Sequence, residues 1–296
     1  MKLKISFNKG QVSFNVQCVV NDEIVDKNDF VDVDTLRTLN LYRMGITSIP
    51  LAIGNLLNLT VLNLSQNGLT SIPRKIGNLI NLTELNLKYN RLATIPSEFG
   101  YLTNLTTLVL GDNYFTTVPI EIINLTNLTK LNMHFNRITT IPLEIGMLSE
   151  LTELNLGRNR IISIPPEIGM LTNLTKLNLD NNNLTIVPPE IGNLSNLREL
   201  ILDGNRIRII PLTVVKLPLL QVLFLPRNFL LEPYQDEYVF TNLYVLGVIR
   251  REFNIDAYNE IYGETRRRNK IWGQQKGLRI LAQANTNYKT RRNLIR

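Results

Sequence analysis

The sequence predicts an α/β solenoid with about nine parallel strands, and three regularities carry this prediction. Leucine recurs every 23 residues, three residues later the column is again leucine, and after two more residues it is leucine or methionine. A period between 20 and 50 residues is typical of repeat architectures. The first column comprises Leu36, Leu59, Leu82, Leu105, Leu128, Leu151, Leu174, Leu197 and Leu220.

Each repeat is predicted to begin with a short strand. Its L-x-L motif places two leucines on one face and the residue between them on the other. One coil cannot bury its own apolar edge, so neighbouring coils must stack and bring their strands about 4.8 Å apart. We therefore expect one continuous core from Leu36 to the far end of the repeats.

Two further columns follow the strand in each repeat. An Asn column is predicted to serve backbone groups of adjacent turns that would otherwise be buried without partners. A Pro column fixes φ where the chain turns to the other side of the coil and limits regular helix there. These residues are Asn67, Asn90, Asn113, Asn136, Asn159, Asn182, Asn205 and Asn228, and Pro50, Pro73, Pro96, Pro119, Pro142, Pro165, Pro188 and Pro211.

The complete unit reads L-x-x-L-x-L-x-x-N-x-L-x-x-I-P-x-x-I-G-x-L-x-N. This consensus resembles the leucine-rich-repeat family, and specifically the 23-residue intracellular type seen in Ras-suppressor-like and scribble-like proteins. Plant receptor-type repeats usually have an extra residue and a Gly before Ile-Pro, which are absent here. The resemblance covers about residues 36 to 231. It implies a horseshoe segment with strands on the concave face. It also implies that the protein is a binding scaffold, in a family whose members have unrelated partners.

The repeats, expected over residues 36–233, are predicted to be flanked by caps. Residues 1–35 alternate apolar and polar side chains as far as Cys18, with a turn signal at residues 8–11, which predicts a β-hairpin cap rather than an independent functional domain. Cys18 lies on the apolar face and is interpreted as a core thiol rather than a nucleophile. Apolar residues at helical spacing after Pro233 predict a helical C-terminal cap over 234–296.

The C-terminal segment is strongly basic. Residues 265–296 contain ten Lys and Arg and no Asp or Glu, whereas the whole chain has a net charge of +7. Two clusters are candidates for polyanion binding, and these are Arg266, Arg267, Arg268 and Lys270, and Lys289, Arg291 and Arg292. They fit a nucleic acid, anionic lipid headgroups, an acidic protein surface or a nuclear address, or else a solvated helix face.

Catalysis is not indicated. One Cys and one His exclude multi-cysteine and histidine-rich metal sites, and the phosphate-binding, nucleophile-elbow and zinc-protease motifs are absent from the sequence. We therefore expect no enzyme activity, no cofactor and no small-molecule substrate. The first residues lack the apolar run of a secretory signal, and no apolar stretch is long enough to span a membrane. A cytoplasmic location is expected, or a nuclear one through the basic clusters, but not secretion.

The outward strand positions show two patterns. Asn recurs in the middle of most strands, and we expect these side chains to bond laterally to one another. Beside them Lys130 and Glu153, and Lys176 and Glu199, alternate in sign and are expected to pair across neighbouring strands. The resulting mixture of charge is unlike a phosphate-binding groove.

The least repetitive positions lie just past the strands. Gly111 and Gly157 flank the central repeat and are expected to leave its aromatic residues standing out. We name six residues here the aromatic patch, and these are Tyr89, Asp112, Tyr114, His134, Phe135 and Arg158. Exposed aromatics with Arg are typical anchors of protein interfaces, although scattered surface residues would give the same list. The leading hypothesis is a scaffold that binds another protein on the concave face. The alternative is a component of a larger assembly, anchored to nucleic acid or another polyanion through the basic segment.

Overall fold

The computed structural model describes residues 4–15, 17–215, 217–225 and 227–229. The chain divides into two compact units, residues 1–161 and 162–296. The strands of the first unit are β1 (Ile5–Asn8), β2 (Gln11–Phe14), β3 (Cys18–Val20), β4 (Glu23–Val25), β5 (Val31–Asp32), β6 (Thr38–Asn40), β7 (Val61–Asn63), β8 (Glu84–Asn86), β9 (Thr107–Val109), β10 (Lys130–Asn132) and β11 (Glu153–Asn155).

In the first unit, strands β6 to β11 form a parallel sheet in sequence order with one strand per repeat. The register is a displacement of 23 residues throughout, so that Leu39 faces Leu62 and Leu62 faces Leu85. The sequence period therefore fixes the register directly, since a slip of one residue would turn every leucine out of the core.

A short 3-10 helix lies on the other side of each coil, in the position that the Pro column predicts. In the first unit these helices are η1 (Leu51–Asn55), η2 (Arg74–Asn78), η3 (Ser97–Tyr101), η4 (Ile120–Asn124) and η5 (Leu143–Met147). Pro50 precedes η1 with φ of −71°, and the equivalent proline precedes each of the others. The α component of the predicted α/β fold is thus carried mainly by 3-10 turns of five residues, which fit a coil too short for a regular α-helix.

The second unit repeats the same pattern. Its parallel strands are β12 (Lys176–Asn178), β13 (Glu199–Ile201) and β14 (Val222–Phe224). Its helical turns are the 3-10 helices η6 (Pro166–Met170) and η7 (Pro189–Asn193), followed by a single α-helical turn, α1 (Leu212–Val215).

The core of each unit is built from the predicted columns. Leu36, Leu59, Leu82 and Leu105 are fully buried, as are Leu174 and Leu197 in the second unit, and Leu220 is 8% exposed. The residue three positions after each Pro is buried with them; it is Ile in most repeats, for example Ile53 and Ile168, and Phe99 or Val214 in two others. The predicted leucine interior is therefore confirmed within each unit.

The N-terminal segment differs from the single hairpin that the sequence predicted. β1 and β2 pair antiparallel around Lys9 and Gly10, and β5 joins them in a three-stranded sheet. Cys18 lies instead in β3, which pairs antiparallel with β4 and with β6, the first repeat strand. The alternation of apolar residues was read correctly, but β2 and β3 belong to different sheets. The predicted helical cap over 234–296 lies outside the described residues.

Candidate functional site

The edge where the strands end is shaped by an asparagine turn. The Asn86 Oδ1 atom accepts a hydrogen bond of 3.0 Å from the Lys88 N–H, two residues further along the chain. The same bond forms at Asn40, Asn63, Asn132, Asn155 and Asn178. These asparagines, each the last residue of its strand, therefore bond within their own coil. The expectation that they bond laterally is wrong, because their Oδ1 atoms accept from the i+2 N–H.

The residue after this turn adopts a left-handed backbone in every repeat that the structure describes. Tyr89 has φ of 55°, Asp112 56° and Phe135 56°. Arg43, Gln66, Arg158, Asn181, Gly204 and Arg227 share the conformation. A positive φ in a bulky residue is a feature of functional sites in many proteins. Here it recurs in every coil and therefore belongs to the repeat.

Hydrogen bonds between coils hold this edge in place. The Tyr89 N–H donates to the Gly111 carbonyl at 3.0 Å, and the Phe135 N–H donates to the Gly157 carbonyl at 2.9 Å. The Asp112 N–H donates to the His134 carbonyl at 2.8 Å. Side chains in these positions consequently project from a fixed backbone, so that little ordering entropy is lost when a partner binds.

The buried Asn column adds a second set of bonds. The Asn90 Nδ2 atom donates to the carbonyls of Leu64 and Leu87 at 3.0 Å, and its Oδ1 atom accepts from the Leu69 N–H. The predicted service to adjacent turns is thus confirmed. The next residue, Arg91, donates its N–H to the Leu69 carbonyl at 2.8 Å, which fixes the base of its side chain.

Four residues of the aromatic patch come together in one groove of about 460 Å³. These are Tyr89, Asp112, Tyr114 and Phe135. The three rings are 46%, 42% and 51% exposed, in the order Tyr89, Tyr114 and Phe135.

The other two members of the patch lie beside this groove. Arg158 is exposed and its guanidinium lies 6.0 Å from the Phe135 ring centre. His134 is half-buried, with its ring centre 6.1 Å from that of Phe135. The expectation that His134 stands out is therefore wrong: Gly111 is buried, so that its small size brings the coils together and does not uncover the ring.

Cations lie over two of the rings. The Lys88 Nζ atom is 4.6 Å from the Tyr89 ring centre, and the Arg137 guanidinium is 4.4 Å from that of Tyr114. Such contacts are attractive because the ring face is electron-rich. Lys88 also lies 3.6 Å from the Asp112 carboxylate, which is the one acidic group lining the groove.

Sequence reasoning missed three arginines in this groove, namely Arg91, Arg137 and Arg160. Each directly follows an Asn of the repeat's Asn column, and we call the three the arginine column. A signal was present, because reading one column further past the strand gives Gly68, Arg91, Tyr114, Arg137 and Arg160 in consecutive repeats. The side-chain directions that bring this column beside the aromatic patch are not visible from the spacing alone.

A larger groove of about 760 Å³ lies at the edge where the strands begin. It is lined by Asn58, Asn81, Asn104 and Asn127 and by Thr60, Thr83, Thr106 and Thr129, with Arg37 and Glu150 at its ends. The Thr83 Oγ1 atom donates to the Thr60 carbonyl, and the Asn104 Nδ2 atom donates to the Ile80 carbonyl. Because their donors already join the coils, this groove is the weaker candidate.

The predicted charge ladder on the strands is confirmed. Lys130 Nζ lies 2.9 Å from a Glu153 carboxylate oxygen in the first unit, and Lys176 Nζ lies 2.6 Å from Glu199 in the second. The hydrogen bond and the charge of Glu153 raise the pKa of Lys130 above its usual value. These charges satisfy one another and leave the strand face electrically mixed.

The described residues hold no group of three or more His, Cys, Asp and Glu placed to bind a metal. Nor does any helix in this part of the chain reach the length and apolarity needed to cross a membrane. The basic residues Arg266, Arg267, Arg268, Lys270, Lys289, Arg291 and Arg292 lie outside the described residues.

Comparison with protein-family models decides the family. A model described as a leucine-rich repeat region matches residues 15–136 and 74–180, and a second, described as leucine rich repeat, matches residues 172–230. The chain belongs to the leucine-rich-repeat family. No curated protein matches the sequence significantly.

Solved structures of the same family are similar to this chain. A leucine-rich-repeat protein of Leptospira interrogans is 35% identical, with a TM-score of 0.56, over 66% of this chain and 56% of its own. The plant peptide hormone receptor RGFR1 in complex with RGF2 is 36% identical, with a TM-score of 0.59, over 67% of this chain and 34% of its own. Internalin C2 of Listeria monocytogenes is 29% identical, with a TM-score of 0.62, over 68% of this chain and 87% of its own. This chain therefore spans just over half of the Leptospira protein and about a third of the plant receptor.

Proposed function

We propose that this leucine-rich-repeat chain is a non-enzymatic scaffold that binds another protein on its strand-bearing face, centred on the aromatic patch. Leucine-rich repeats commonly mediate protein–protein interaction. The observation that carries the proposal is the group of exposed rings Tyr89, Tyr114 and Phe135 on a backbone fixed by bonds between coils. Aromatic and Arg side chains dominate the binding energy of protein interfaces. The similar plant receptor, solved in complex with RGF2, supports this choice.

The proposal is tested by capture from an extract of the source cells. Phe135→Ala combined with Arg158→Ala should lower the recovery of the bound protein at least tenfold, since loss of two anchors typically costs more than about 1.4 kcal/mol. Ile186→Ala combined with Arg208→Ala also removes an exposed apolar side chain and an Arg, but in the second unit, and should leave recovery unchanged. Equal recovery by both variants, with equal melting temperatures, would argue against the patch.

A second candidate function is anchoring to a polyanion through the basic segment. Its support is the run of ten cationic and no acidic residues in 265–296. Replacing Arg266, Arg267 and Arg268 by Gln in the full chain should weaken binding to heparin or DNA and flatten its salt dependence. Binding that is unaltered in strength and salt dependence would remove this proposal.

We further propose that the repeats are of the intracellular type and that the protein resides in the cytoplasm, or in the nucleus through its basic clusters. The support is the period of 23 residues without the additional residue usual in plant receptor-type repeats. Fractionation of the source cells tests this location. Recovery in the cytoplasmic or nuclear fraction is expected, and recovery from the medium or the cell surface contradicts it.

A further inference from the structure

The groove beside the aromatic patch carries unpaired positive charge. Arg91, Arg137 and Arg160 are exposed, and within the described part of the chain none of them lies within 4 Å of a carboxylate. The one acid in the groove, Asp112, already has Lys88 at 3.6 Å. Elsewhere on the strands Lys and Glu pair off. The arginine column is therefore a local surplus of guanidinium groups.

Between these charges lie flat apolar surfaces. Tyr89, Tyr114 and Phe135 line the same groove and each keeps between 42% and 51% of its surface exposed. Arg137 lies over the Tyr114 ring, which orients its guanidinium while leaving its N–H donors at the edge. A ligand that fits must offer both carboxylates for the arginines and an apolar side chain for the rings.

The spacing of the arginines suits an extended chain. Neighbouring coils are bonded to one another at this column, as the Tyr114 N–H to the Leu92 carbonyl and the Arg160 N–H to the Ile138 carbonyl show. At about 4.8 Å per coil, Arg91 and Arg137 have their backbones about 10 Å apart and Arg137 and Arg160 about 5 Å. Alternate side chains of an extended peptide are about 6.6 Å apart, within the reach of flexible Arg side chains.

From these three observations we propose that the groove binds an extended acidic segment of the partner protein, with carboxylates on Arg91, Arg137 and Arg160 and an aromatic or apolar residue among the rings. This inference rests on the proposed protein-binding function and names the chemistry of its partner. Arg pairs with carboxylates through parallel N–H···O bonds, which gives geometric selectivity as well as attraction. A nucleic acid, with a phosphate on every nucleotide, fits less well because Asp112 lies within the groove.

The test uses the full chain and fluorescein-labelled peptides of four repeats each, with the sequences Glu-Tyr, Gln-Tyr and Lys-Tyr. The Glu-Tyr peptide should bind at least tenfold more tightly than the Gln-Tyr and Lys-Tyr peptides. Its binding should weaken as the salt concentration rises. The triple substitution R91Q/R137Q/R160Q should raise its Kd at least tenfold. The control R74Q/R198Q/R208Q removes three exposed arginines that lie outside this column, keeps the basic segment and should change the Kd less than twofold.

A gain-of-affinity variant separates the charge argument from damage to the fold. Asp112→Asn removes the negative charge from the groove and should tighten binding of the Glu-Tyr peptide about threefold. Single-stranded oligo(dT) serves as a nucleic-acid probe in the same assay. Equal losses in both triple variants, equal binding of the Glu-Tyr and Gln-Tyr peptides, or a groove triple variant that loses oligo(dT) binding but keeps binding of the acidic peptide would each overturn the inference. Such results would leave the capture test with Phe135 and Arg158 to decide separately whether the patch binds protein at all.

Discussion

The buried asparagine that follows each strand is the residue that joins the coils. Asn113 donates to the carbonyls of Leu87 and Leu110 and accepts from the Leu92 N–H, so that one amide satisfies three backbone groups in the interior. An apolar residue in its place would leave the Leu92 N–H unpaired, and a buried unpaired group costs about 1–3 kcal/mol. Each of the two carbonyls would keep one amide donor, from Asn90 or Asn136. This requirement explains why the sequence keeps Asn at a position surrounded by leucines.

At this scale we expect Asn90→Ala to lower the free energy of unfolding by about 1–3 kcal/mol, because it leaves the buried Leu69 N–H without its partner. It also removes one of the two amide donors from each of the Leu64 and Leu87 carbonyls. The matched control is Asn104→Ala at the other edge, where one exposed bond to the Ile80 carbonyl is lost and the cost should stay below about 1 kcal/mol. Urea unfolding measures both. Similar costs for the two variants would contradict this role of the buried column.

Cys18 gives a prediction about pH. Burial raises the pKa of its thiol to about 11, so the folded chain keeps the thiol neutral while the unfolded chain ionises near pH 9. Stability from this group is therefore complete below about pH 9 and is lost as pH rises toward 11. The parent should lose stability relative to Cys18→Val across this range, as measured by urea unfolding at successive pH values. A constant difference between the two proteins would show that the thiol is not held neutral.

At the scale of elements, the 3-10 helices pack closely because most carry a glycine in their fourth position. A Cβ atom at Gly54 in η1 would lie 2.6 Å from the Lys75 carbonyl oxygen in η2. In η4 the same position holds Ile123, which is buried, and η4 packs less closely on η5 than η1 does on η2. The glycine thus sets the spacing on this side of the coil, and a larger residue opens it.

We therefore expect Gly54→Ala to destabilise the fold by about 1–3 kcal/mol, the usual cost of overpacking. Gly68→Ala is the matched control. Its Cβ would meet the Thr47 methyl at 3.3 Å, and a small shift of that side chain relieves the contact. Thermal unfolding compares the two. A Gly54 variant as stable as the Gly68 variant would show that spacing at η1 is not tightly set.

At the scale of the whole chain, periodicity predicted the repeat fold but could not predict the groove. The columns that began at Leu36 specified strand register, core and asparagine bonds because each repeat obeys the same local rule. The strand order of the N-terminal segment was not predictable, since alternation assigns a face but not the sheet that a strand joins. The arginine column was not predicted because the spacing places its residues just past the strands but does not show that their side chains line one groove with the rings.

The most direct test of the proposed function is site-specific photocrosslinking in the source cells. A photoreactive phenylalanine at Phe135 replaces one exposed ring by another, and the same group at Leu143, on the 3-10 helix η5, is the matched control at similar exposure. We predict a discrete crosslinked protein from position 135 that is absent from position 143 and is lost on Arg158→Ala. Crosslinks of equal yield from both positions, or from position 143 alone, would contradict a binding site at the aromatic patch.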